Sequence, residues 1–352
     1  MLDLALVGAQ PMRDLSLDLA AGGRYLNGQQ PYLTALMTSY PADETQLPFL
    51  YPPFTLPFFA VLSQLPQVLV FAGWLAASLA GSVAALRWLG VRWAWVAPLL
   101  LWPPLFEGID VGNVAVLTFV LFVAAPRRPW LLPAMAVFKL QSAVPSLWLV
   151  RERRWSNLAI GVILVGGLVL ATLPMVGVAA WSDWFRGLQL FQASQAKLPA
   201  LYGLALPRYL PYSAFLIVSL AAVAAAAIVG RRNAGLARLG VASVVTSPSL
   251  NRHGLLVALP GLLGNGELVC WLGMAVTANG IAIGWWLMVA AAAIGTNFFD
   301  STRARPTVHP LGSGGSPWSP RPGPDDLIID DRSAPASLGA VHGAGATGAT
   351  DA

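Results

Sequence analysis

The chain has one cysteine, Cys270, in 352 residues. That excludes an internal disulfide, a thiolate zinc cluster and a Cys-x-x-Cys redox pair. Cys270 lies inside an apolar run and reads as a core residue. Charge is also scarce, at 11% of residues against 56% hydrophobic. The sequence has no Gly-rich phosphate loop of the GxxxxGK[ST] kind, no dinucleotide fingerprint after a strand, no HExxH and no carboxylate cluster suited to a divalent ion. Neither a nucleotide sugar nor a resident metal or other cofactor is indicated.

What is present is apolar surface. A mean hydropathy of +0.64 and 14 tryptophans exceed what a soluble domain can bury, so the chain reads as an integral membrane protein. The formal charge of +5 comes from arginines set between apolar runs, as in Arg127-Arg128, Arg151-Glu152-Arg153-Arg154 and Arg231-Arg232. Membrane topology explains such spacing better than nucleic acid does.

A helix needs about 20 residues to cross hydrocarbon. Runs of that order lie at 68–86, 130–149, 157–178, 213–230 and 268–295, with shorter ones at 54–66, 94–106, 113–125, 236–247 and 255–264. The expectation is an all-α polytopic protein of about nine or ten transmembrane or re-entrant helices. Residues 1–50 read as an extracytoplasmic loop without a signal-peptide pattern. Residues 51–300 read as the membrane domain, with an outer loop at about 178–212. Residues 301–352, rich in Gly, Pro, Ser and Asp, read as a disordered tail. If the six runs from 54 to 178 all cross, the loops holding Asp14 and Trp181 share a face, and two further crossings return His253 to it. The positive-inside rule then places 151–154 and 231–238 in the cytoplasm but leaves Arg87, Arg92, Arg127 and Arg128 outside.

Ionisable groups at membrane depth are expensive unless they face water, a partner or a ligand. Asp14, Lys139 and His253 stand out on that ground. The motifs around them come in a telling order. Asp14-Leu15 is followed by Leu26-Asn27-Gly28-Gln29-Gln30-Pro31-Tyr32, then Leu50-Tyr51-Pro52-Pro53-Phe54 and Leu65-Pro66. Gly112-Asn113-Val114, Phe138-Lys139-Leu140, Ser247-Pro248 with His253, and Leu259-Pro260 continue the series. This order resembles family 87 of the glycosyltransferases, polytopic type C enzymes that use polyprenyl-phosphate sugars, over most of residues 14–295. Members normally carry a membrane helix before the aspartate, whereas Met1 to Arg13 is too short and polar to be one. The pattern around Gln195 and Arg208 matches only loosely.

The resemblance implies inversion at the anomeric carbon by direct displacement, with an aspartate of the first outer loop as base. Sugar transfer to a hydroxyl needs a base to take the proton, and a carboxylate in a partly desolvated vestibule suits that task. Asp14 is the candidate and Asp18 the fallback; the plainer alternative is that Asp14 caps a helix. His253, the one histidine before the tail, would pair with the aspartate, orient the acceptor or donate to the donor phosphate; alternatively it starts a helix at the headgroups. Lys139 would neutralise the departing lipid phosphate, or else pair internally with Glu107 or Asp110. Arg208 and Arg252 are further phosphate candidates or ordinary interfacial arginines. Tyr51, Asn113 and Gln195 are expected substrate contacts, with the Pro52-Pro53 pair fixing a helix entry beside the site. Trp181, Trp184 and Tyr202 read by default as belt anchors rather than sugar-stacking platforms.

The expected partners are a polyprenyl-phosphate hexose, mannose first among them, a lipid-linked or cell-envelope glycan acceptor and membrane lipids, but no nucleic acid. The expected location is the cell membrane, with the site facing outward. A multi-pass transporter or lipid flippase is the alternative class, and a non-catalytic assembly partner a third.

Overall fold

Proline and glycine decide where this helical chain breaks. The computed structural model describes residues 11–32, 49–197, 199–229, 232–278 and 282–295, all within one compact unit, Met1–Arg305. Of the expectations, those for residues 1–10 and 33–48 of the N-terminal loop, for Arg231 and for the tail 301–352 lie outside the described residues. Among the described residues the structure is helical, without a named strand. The chain is an all-α membrane protein.

Helix α1 (Arg13–Leu26) is amphipathic and buries Leu15, Asp18, Ala21 and Gly22 along one face. Gly22 allows that face to touch α2 (Leu56–Ser63), since a Cβ there would lie 2.4 Å from the carbonyl carbon of Phe59. Fourteen residues give roughly 21 Å, too short to cross a bilayer. Pro53 opens a 3-10 turn, Pro53–Thr55, that leads into α2, and the Thr55 hydroxyl donates to the Pro52 carbonyl at 2.7 Å.

Among the described residues three helices are long and apolar enough to cross a membrane: α3 (Gln67–Trp88), α9 (Trp155–Lys197) and α10 (Tyr212–Val229). The large apolar side chains they expose suit lipid contact. Helix α9 is broken at Gly177, whose φ of 73° and ψ of 164° are not helical. Beyond that kink the expected outer loop is helical as far as Lys197, with 3-10 turns at Pro199–Tyr202 and Leu206–Arg208.

The remaining apolar runs are divided. The run at 94–106 becomes α4 (Trp93–Leu100) and α5 (Pro103–Asp110), broken where Pro103 starts a new helix. Helix α6 (Ala115–Ala124) follows.

The expected span at 130–149 is not a single helix. It consists of α7 (Leu131–Ala134), 3-10 turns at Met135–Val137 and Leu140–Ser146, and α8 (Leu147–Arg151), with Lys139 extended between them (φ −146°, ψ 129°). Pro133 and Pro145 each remove a backbone donor, which prevents one continuous helix. The segment doubles back, because Trp130 lies against Gly161 near the start of α9, the helix into which α8 leads.

After α11 (Arg232–Val245), a 3-10 stretch, Arg252–Ala258, leads into α12 (Leu259–Leu263). The run at 268–295 is divided between α13 (Glu267–Ala278) and α14 (Ala282–Ile294). Cys270 is buried, as expected. The core forms two apolar clusters. One is built around Phe119, Phe122, Trp148 and Leu256, and the other around Leu15, Tyr32, Phe59 and Trp184.

Candidate active site

Residues from both clusters enclose a cavity of about 520 Å³. Asp14, Asp18, Tyr51, Asn113, Lys139, Gln195 and His253 all line it.

Asp14 is positioned by the turn before α6. The backbone N–H of Met12 donates to the Asp110 carbonyl at 2.6 Å and that of Asp14 to the Val111 carbonyl at 2.9 Å, which docks the start of α1 on this turn. Gly112, with φ of 70°, makes the approach possible, since a Cβ there would lie 2.9 Å from the Leu15 Cβ. Asn113 Nδ2 donates to Asp14 Oδ2 at 2.6 Å, and Arg13 Nε meets Asp14 Oδ1 at 3.1 Å. Asp14 does not cap α1. It sits in the first turn, Met12 holds the cap position, and both carboxylate oxygens are engaged by side chains.

Asp18 lies one helical turn further on, on the same face of α1. It is 4% exposed, and its Oδ2 is buried without a hydrogen-bond partner. Burial raises its carboxyl above the ordinary range, the nearby Asp14 charge adds to that, and the Lys139 ammonium partly opposes it. The spacing of four places Asp18 beside Asp14 once residues 13–26 form a helix.

Lys139 is partly buried at the tip of the doubled-back segment, within electrostatic reach of Asp14 and Asp18. Glu107 is engaged elsewhere. Its Oε2 lies 3.8 Å from Arg252 Nη1 and its Oε1 lies 3.6 Å from His253 Nδ1. His253 is 1% exposed, and α5 packs closely behind it, since a Cβ on Gly108 would lie 3.1 Å from the His253 Cβ. It is therefore a buried cavity residue facing Glu107, not a headgroup histidine.

Neither further arginine lines the cavity. Arg252 is 41% exposed by its side chain and faces Glu107. Arg208 is exposed and donates to the Gly203 carbonyl at 2.9 Å. Gly203 pairs with Leu250, so Arg208 supports a cavity wall from outside.

Gln195 is 2% exposed and donates through Nε2 to the Leu201 carbonyl at 3.3 Å. Trp184 is no belt residue: it is 4% exposed, lines the cavity and donates through Nε1 to the Leu50 carbonyl at 3.0 Å. Tyr51 is held by the same strand of chain, its carbonyl accepting from the Tyr32 hydroxyl at 3.2 Å. Gln141 and Ser247, which were not among the expected site residues although Ser247 stands in the Ser247-Pro248 motif, meet at 3.4 Å on the cavity wall. Among the described residues no group of His, Cys, Asp and Glu is arranged to hold a metal ion.

The model of glycosyltransferase family 87 matches residues 49–257. The chain belongs to this family. A family 87 glycosyltransferase joins a donor sugar to an acceptor at the membrane, and the matched stretch contains Tyr51, Asn113, Lys139, Gln195, Arg208, Arg252 and His253. Asp14 precedes it, yet docks on the Asp110–Asn113 turn inside it. No match was found among curated proteins or among solved structures.

Proposed function

We propose that this family 87 glycosyltransferase moves a hexose, mannose first among the candidates, from a polyprenyl-phosphate donor to a lipid-linked or cell-envelope glycan, with inversion, on the outer side of the cell membrane. The observation that carries this reading is a cavity lined by an aspartate pair, a lysine and a buried histidine together with apolar walls.

In this mechanism the acceptor oxygen attacks the anomeric carbon, the bond from that carbon to the phosphate oxygen breaks, and the hydroxyl proton passes to Asp14. Asn113 and Arg13 keep the Asp14 carboxylate oriented. The donor phosphate carries one negative charge, and the departing polyprenyl phosphate carries two. Lys139 stabilises the charge that develops. With His253 Nδ1 turned to Glu107, the other ring nitrogen is left for an acceptor hydroxyl or a phosphate oxygen. Asp18, whose carboxyl burial and the Asp14 charge push above the ordinary range, lines the same cavity beside Asp14. Trp184, Phe138 and Phe191 supply apolar wall for the sugar face and the first isoprene units.

The test is transfer of radiolabelled mannose from polyprenyl-phosphate-mannose to membrane lipid extract by the purified chain. Asp14→Asn and His253→Ala are compared after a thermal melt has shown that each is folded. Transfer that collapses in Asp14→Asn supports the assignment. Equal activity in both variants removes it, and absence of transfer by the parent removes this donor. The transporter reading expects charges along a path through the membrane, whereas Asp14, Asp18, Lys139 and His253 here line one cavity.

A further inference from the structure

We infer that the end of the helix bundle carrying Arg87, Arg92, Arg127, Arg128, Arg153 and Arg154 is a binding surface for the headgroups of anionic phospholipids. The inference does not rest on the glycosyltransfer chemistry.

Simple alternation of crossings would scatter these arginines over both faces; tertiary packing gathers them. Helices α3 and α6 run side by side in the same direction. Gly81 of α3 meets Val120 of α6, where a Cβ would lie 3.1 Å from a valine methyl, and one pair of turns further on the Arg127 guanidinium lies 5.5 Å from the centre of the Trp88 ring. The two helices therefore end together. The turn after α6 brings Trp130 against Gly161, close enough that a Cβ on the glycine would lie 2.6 Å from the Trp130 carbonyl oxygen. That places the start of α9, with Arg153 and Arg154 just before it, at the same end. Residues 131–151 leave this end, reach the cavity at Lys139 and return. The outgoing arm, Leu131–Val137, covers roughly 12 Å and the return arm, Leu140–Arg151, roughly 22 Å, and neither spans a hydrocarbon core of ~30 Å. Arg127, Arg128, Arg153 and Arg154 consequently share a face that a full crossing would have divided.

The chemistry of this end suits a lipid headgroup layer. The six arginines are exposed, and in the segments that carry them Glu152 is the one acidic residue. Exposed tryptophans lie among them: Trp88 is 40%, Trp93 66% and Trp155 56% accessible. The Arg87 guanidinium lies 4.7 Å from the centre of the Trp93 ring and that of Arg154 lies 4.6 Å from that of Trp148. A guanidinium held over an indole keeps its donors in plane for two phosphate oxygens, and indole itself favours the headgroup level. Helix α3, with 22 residues and so roughly 33 Å, fits the hydrocarbon thickness with Arg87 and Trp88 at this boundary. A monoanionic headgroup such as phosphatidylglycerol satisfies these donors without the ammonium that a choline lipid would bring beside them. The concentration of arginine marks this end as cytoplasmic.

Two measurements on the full chain test the inference. In native mass spectrometry with equal phosphatidylglycerol and phosphatidylcholine, the protein is expected to retain the anionic lipid preferentially. Arg127→Gln and Arg154→Gln should each lower that preference by up to roughly fivefold, while Arg186→Gln, beyond the Gly177 kink, leaves it unchanged. Equal retention of the two lipids, or an equal loss in Arg186→Gln, overturns the lipid surface. In oriented vesicles, Arg128→Cys and Arg153→Cys are expected to react with an impermeant maleimide from one side and Gln64→Cys from the other. Cys270 is buried and contributes little background. Reaction of positions 128 and 153 from opposite sides overturns the shared face. Neither readout uses sugar transfer, so the inference fails or stands separately from the proposed reaction.

Discussion

Asn113 holds Asp14 with one end of its amide and α6 with the other. Its Nδ2 donates to Asp14 Oδ2 at 2.6 Å, while its Oδ1 accepts the Ala115 backbone N–H at 2.8 Å. One side chain thereby starts a helix in the matched family stretch and fixes a carboxylate that lies outside it in sequence.

Asn113→Ala should leave the fold in place and lower transfer by one to two decades, since a hydrogen bond to a charged group contributes about 1.5 to 3 kcal/mol. The turnover number, compared with the thermal midpoint, checks this; an equal fall in both would mark Asn113 as structural only.

Gly112→Ala should be among the more damaging small changes, at about 1 to 3 kcal/mol. Its φ of 70° disfavours any L side chain, and the added Cβ meets Leu15 and Met12 Sδ at 2.9 Å. Chemical denaturation measures the loss. A wild-type midpoint in this variant would contradict the close docking of α1.

Asp18 makes stability depend on pH in a defined direction. Its folded-state carboxyl titrates above the unfolded one, so the folded chain retains a proton that the unfolded chain has released. Stability from this group is complete below the unfolded carboxylate range, near pH 4, and is lost as pH rises toward the raised value. Asp18→Asn should therefore raise the melting temperature at pH 7 and change little at pH 4. A larger gain at pH 4 would contradict the sign.

Lys139→Ala should cost about two decades in turnover if its charge meets the leaving phosphate, while Lys139→Arg recovers part of it. Single-turnover assays separate this from weaker donor binding. Retained turnover in Lys139→Ala would return the lysine to an internal role beside Asp14 and Asp18.

Trp184→Phe should keep the apolar wall but leave the Leu50 carbonyl without its 3.0 Å partner, a loss of about 1 kcal/mol. The Michaelis constant for the donor should rise more than turnover falls. A turnover loss alone would show that the indole acts elsewhere than in placing Tyr51.

Much of the candidate site could be read from the chain because buried charge is conspicuous in an apolar sequence. Asp14, Lys139 and His253, chosen for that reason, line one cavity. The same reasoning could not separate them from Arg208 and Arg252, which lie outside it, because exposure depends on neighbours distant in sequence. Trp184 departs from the belt expectation for the same cause: a tryptophan near a boundary is ambiguous until Leu50, 134 positions away, accepts its N–H.

Composition and apolar run length by themselves determined that this protein is helical and lives in a membrane, because hydrocarbon forbids unpaired backbone and few charges can enter it. The order of motifs by itself pointed to the family. Tertiary structure alone decided that residues 131–151 turn back at Lys139, that Glu107 faces His253 rather than Lys139, and that Asp18 joins Asp14 in the cavity. Hydropathy measures how much surface a segment must hide; which neighbour hides it is fixed only when Gly22, Gly112 and Gly161 let particular backbones touch.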